Sequence, residues 1–132
     1  MKASAVERDL IGEFFDEYSG AVPELAHRLR GLIRAELPDA AQELDRSVRL
    51  VGYSFGPGYA SLICTIIPSK TSVKLGLIGG AHMNDPAGLL EGASKQHHNI
   101  AFVRASDFDR PRGTDLLRAA ATHWKQRHGE KA

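Results

Sequence analysis

Asp9, Glu13, Asp16 and Glu17 crowd one stretch near the start of the chain. On a helix of 3.6 residues per turn the first three step round by roughly 40° to 60°, with Glu17 beside them, so they form an acidic ridge. Carboxylate oxygens in that array suit a hard cation such as iron, and the chemistry would be cation binding. The competing reading is a solvated face opposite Leu10, Phe14 and Tyr18, because an amphipathic helix needs a polar side.

The segment Gly79 to Lys95 offers different chemistry. It carries two glycine clusters, Asp85 as a helix cap, Pro86 at a first-turn position and Gly88 behind it. One short helical turn between loops is expected there. Its amides near Ala87 and Gly88 would favour an anion, with Lys95 as a point charge. Combined with a sheet face, the segment predicts a ligand surface made from Tyr53, His82, Asp85, Gly88, Glu91, Lys95 and His98. The alternative is that Leu89 and Leu90 plug an end of the core.

Other reactive residues lack a partner pattern. The chain has six histidines, but neighbours such as His97 and His98 point to opposite faces of a strand, and His123 and His128 lie roughly 140° apart on a helix. Cys64, the single cysteine, sits in the apolar run Leu62 to Ile66 and reads as a small core residue. No nucleophile elbow, phosphate-binding loop or dinucleotide fingerprint is present, so no catalytic residue is assigned.

The elements that must position these residues follow from periodicity. Ser4 and Glu7 form a capping-box pattern ahead of Val6, Leu10, Ile11, Phe14, Phe15 and Tyr18, which predicts a first helix stopping near Gly20. A second starts at Pro23, buries Leu25, Leu29, Leu32 and Ile33, and ends before Pro38. Alternation then takes over at Val48 to Tyr53. A turn over Phe55 to Tyr59 leads into an apolar strand from Ala60 to Ile67, and Val73, Leu75 and Leu77 mark the next strand. Asn99 to Val103 reads as a further strand. Thr114 is the expected cap of a last helix to Arg127 that buries Leu116, Leu117, Ala120, Ala121 and Trp124. Helices first, strands in a run and a helix last predict an α+β domain with an antiparallel sheet.

The stretch Asp85-Pro86-Ala87-Gly88-Leu89-Leu90-Glu91-Gly92-Ala93-Ser94-Lys95 resembles the D-P-x-G-L-L-E-G-x-G-K segment of the DUF1801, or YdhG-like, family. Phe14 to Tyr18 and Leu32 to Asp39 are similar to that family's opening helices. The resemblance spans about Leu10 to Trp124 and implies a two-layer, secretion-chaperone-like domain: an antiparallel sheet of about five strands with helices on one face. Some members are described as frataxin-like iron chaperones. This chain has Ser94 where glycine is usual and His98 where arginine is common, and it lacks the Tyr-Gly-x-Pro motif of the iron-chaperone-like branch.

With 132 residues, 42% apolar and 25% charged, the chain reads as one domain, residues 1 to 132. A net charge of +1 points to neither nucleic acid nor an anionic membrane as partner. The basic end, Lys125, Arg127 and Lys131, reads as a solvated tail. The opening residues are charged where an export signal needs an apolar stretch, and no run is long enough to span a bilayer. The expectation is a cytoplasmic, non-enzymatic binding or accessory module without a cofactor, with an unidentified small ligand or protein partner. The alternatives are an iron chaperone acting through the acidic ridge and a homodimeric interaction module.

Overall fold

The computed structural model describes residues 8–56, 61–78, 97–102 and 110–127. Its elements run α1 (Leu10–Asp16), α2 (Val22–Glu36), β1 (Ala41–Asp45), β2 (Leu50–Ser54), β3 (Leu62–Pro68), β4 (Val73–Ile78), β5 (His97–Phe102) and α3 (Arg110–Arg127). The five strands form one antiparallel meander in the order β1-β2-β3-β4-β5. This is the expected two-layer α+β arrangement, with the helices packed on one face of the sheet.

α1 begins later than its sequence suggests. Arg8 and Asp9 are not helical, and Asp9 is the cap, its carboxylate accepting from the Gly12 amide at 3.1 Å. The Ser4 and Glu7 box lies outside the described residues. Gly12 is required by this cap, since a Cβ there would lie 2.5 Å from Asp9 Oδ2. After α1 the chain turns through Gly20 at φ 65°, a left-handed conformation that glycine adopts freely.

α2 starts with Pro23 in its first turn and ends at Glu36 before Pro38, as expected. α3 departs from expectation. It opens at Arg110, so Thr114 lies inside it and caps nothing; its hydroxyl donates instead to Glu36 of α2 at 3.4 Å. Pro111 is tolerated because first-turn amides have no intrahelical acceptor. Gly113 lets α3 close on α2, for a Cβ there would stand 2.7 Å from Leu32 Cδ2.

The core lies between the layers. Phe14, Phe15, Leu25, Leu29, Leu32, Ile33 and Leu117 from the helices meet Val51, Tyr53, Cys64, Ile66, Leu75 and Leu77 from the sheet, all buried. Each such apolar side chain contributes about 1.5–3 kcal/mol on burial, whereas an exposed ion pair contributes about 0–1 kcal/mol. Packing therefore sets the fold, and the ion pairs adjust it. At the sheet's far end Trp124 of α3 stacks edge-on against Phe55, and its indole N–H donates to the Ser61 carbonyl at 2.8 Å.

The candidate site on the sheet face opposite the core

Strand alternation assigns the two faces of the sheet. Val51, Tyr53, Cys64 and Ile66 lie in the core beneath the helices, so their neighbours in sequence belong to the opposite face. The β1/β2 register sets Ala41 opposite Ser54, Glu43 opposite Gly52 and Asp45 opposite Leu50 on that face, on which no helix lies among the described residues. Further in, Gly52 lies opposite Thr65, and Thr65 opposite Gly76. Small residues thus occupy the middle of this face. A cleft of about 450 Å³ opens there, lined by Glu43, Leu44, Asp45, Arg46, Leu50, Gly52, Ser54 and Leu62.

Gly52 forms the floor because it has no side chain. A Cβ at that position would meet Leu62 Cδ2 at 2.8 Å, so Leu62 leans over the glycine and makes an apolar wall. Next to Leu62, the register between β2 and β3 shifts at Tyr53/Ser54. Such an irregularity bends a strand and re-aims its side chains. At the outer end Glu43 is exposed, and Asp45 accepts hydrogen bonds from the Ser47 amide and hydroxyl, shaping the turn into β2. The cleft therefore has a charged end, where Glu43 and Asp45 stand beside an Arg46 already paired with Glu17, and an apolar end at Leu62, and it can accept a small amphipathic group.

Tyr53 is not on this surface. Its ring is buried in the core, and its hydroxyl donates to Gln42 Oε1 at 3.0 Å. The same oxygen accepts from Arg30 Nε at 3.3 Å, tying β2 and β1 to α2. Burial drives the Tyr53 phenol well above its ordinary pKa, and burial also raises the Cys64 thiol. Both stay protonated at neutral pH and are held in the core, which agrees with the reading of Cys64 as core material. His98 occupies β5 opposite Leu77. His82, Asp85, Gly88, Glu91 and Lys95, with the short helical turn expected among them, lie outside the described residues.

The four carboxylates of the acidic ridge each face a cation or an imidazole. Asp9 receives a bidentate pair from Arg30, at 2.8 and 3.0 Å, and the guanidinium is the main reason its carboxyl falls to a pKa of about 2. Arg8 pairs with Glu13 and lowers its pKa. His27 Nε2 lies 3.0 Å from Asp16. Arg46 donates to Glu17 at 2.7 Å and lowers that carboxyl too. Among the described residues, no three His, Cys, Asp or Glu side chains are grouped so as to hold a metal ion.

No protein-family model, no curated protein and no solved structure matches this chain. The geometry of the cleft is thus what speaks for its role. Glu43, Ser54 and Leu62 belong to no sequence motif. The signal that points to them is the alternation of Leu50, Gly52 and Ser54 against Val51 and Tyr53, which leaves a bare position at Gly52 on the face away from the core. Among the described residues no helix is long and apolar enough to cross a membrane.

Proposed function

We propose that this chain is a small cytoplasmic YdhG-like module that binds a ligand or partner on the sheet face opposite the core, without catalysing a reaction. The observation that carries the reading is the cleft over Gly52, which has a glycine floor, a charged end formed by Glu43, Asp45 and Arg46, and an apolar wall at Leu62. The two-layer architecture, in which the described helices pack on one face of an antiparallel sheet, supports the family resemblance. The confinement of Tyr53 and Cys64 to the core supports a binding role, since neither can act as an ionised nucleophile or base.

The test is a fragment and small-ion screen followed by amide chemical shifts on labelled protein. Ligands of this face should move Glu43, Gly52, Ser54 and Leu62 together, and Gly52→Val, which fills the floor, should remove those shifts. A screen that leaves all four amides unmoved would defeat the proposal.

A further inference from the structure

We infer that the partner is an extended basic peptide segment of another protein, which adds as a sixth strand along β1 and sets a side chain at the mouth of the adjoining cleft. This rests on the sheet-face reading and names the partner class for it. Among the described residues β1 pairs on one side only, with β2. Antiparallel pairing engages the backbone groups of alternate residues, so the remaining N–H and C=O groups of β1 point outward and can template another strand. Lysine, proline and bulges close an edge to any strand, whereas acidic side chains such as Glu43 and Asp45 turn away neutral or acidic strands and leave the edge open to a basic one. Ala41-Gln42-Glu43-Leu44-Asp45 contains neither lysine nor proline, and its five-residue register with β2 is unbroken.

Charge selects the occupant. Ala41, Glu43 and Asp45 share the cleft face, with Glu43 exposed at the centre of the strand. An incoming strand would set its own alternate side chains directly across from these, where opposite charges attract and like charges repel. Lysine or arginine at alternate positions fits. A second copy of this chain fits poorly, because aligning two β1 strands antiparallel over their full length sets Glu43 opposite Glu43. The cleft opens at Glu43 beside this edge, so a lysine or arginine on the added strand meets the Glu43 carboxylate at its mouth, and Arg46, which also lines the cleft, is already held by Glu17.

The experiment titrates labelled protein with a short acetylated and amidated peptide that alternates lysine with valine. Amide shifts and slowed hydrogen exchange should appear across Ala41 to Asp45, and Glu43→Lys should weaken binding about tenfold while leaving the rest of the spectrum in place. The same peptide N-methylated along one edge should not bind, since its backbone donors are gone. Equal binding by the peptide with glutamate in place of lysine, or no effect of Glu43→Lys, would overturn the inference. Protection of β1 that grows with protein concentration alone would overturn it too, by making a second copy the occupant. Fragment shifts at Gly52 and Ser54 without any peptide effect on β1 would sink this inference and leave the sheet-face reading standing. Silence in both experiments would remove both.

Discussion

Replacing Asp9 by alanine separates a structural role for the acidic ridge from a metal-binding one. Asp9 caps α1 through the Gly12 amide and holds Arg30 through two hydrogen bonds. Losing the cap costs about 1 kcal/mol. The ion pair adds at most about 1 kcal/mol, because the Asp9 side chain is 57% exposed although Arg30 is only 13% exposed. The expected loss is about 2 kcal/mol, or about 8 °C in Tm for a domain of this size. Asp9→Asn keeps a good cap and loses only the charge, so about half the effect should remain. The pH dependence follows from the direction of the shift. The folded-state pKa of Asp9, about 2, lies below its ordinary 3.8, so its contribution is present above about pH 4 and is lost as pH falls through 2. Urea unfolding of metal-free protein at pH 7 and near pH 2 should therefore show the gap between wild type and Asp9→Asn closing at low pH. If Asp9→Ala matched wild type in metal-free protein and differed only with Fe(II) added anaerobically, the capping argument would be wrong and the ridge would be a metal site.

Two glycines in helices should respond in opposite directions to alanine. Gly31, exposed in the middle of α2, has open space where a Cβ would stand, with no neighbouring atom within 4 Å. Gly31→Ala should therefore stabilise by about 1 kcal/mol in a thermal melt. Gly113→Ala drives a methyl against buried Leu32, and overpacking of about 1–3 kcal/mol should outweigh the gain in helix propensity; a raised Tm would refute the close α2/α3 contact. Tyr53→Phe should cost about 1 kcal/mol in urea unfolding, since it removes a buried hydrogen bond to Gln42 that Arg30 still satisfies in part. Cys64 should resist thiol reagents in folded protein and react on unfolding; rapid labelling of the native state would contradict its burial.

Local pattern makes most of the fold legible. α2 announces both its ends through Pro23 and Pro38, and the alternation of Val73, Leu75 and Leu77 gives β4 directly. The strand β1 is hidden in the sequence because alanine, glutamine, glutamate and aspartate are poor strand formers. It is a strand because β2 lies alongside and because Gln42 is held by Tyr53 and Arg30. The start of α3 is hidden for a related reason. Arg110-Pro111-Arg112-Gly113 looks like a break, yet proline is harmless in a first turn and the glycine answers to Leu32 of another helix.

The candidate site is less legible because its meaning depends on who faces whom. Spacing correctly places Asp9, Glu13 and Asp16 along one stretch, and from that alone a cation site is a fair reading. Most of the partners that answer the ridge come from elsewhere: Arg30 and His27 from α2, and Arg46 from the turn after β1. An iron ion entering there would have to displace these groups, so the negative field suggested by composition is already spent within the fold. Glu43 reverses that logic. It sits in an inconspicuous stretch of sequence, but the sheet order delivers it, exposed, to the centre of an edge strand and to the mouth of the cleft. A carboxylate counts as a binding group here by virtue of the edge it stands on and the glycine beside it, and neither is a property of its neighbours in sequence.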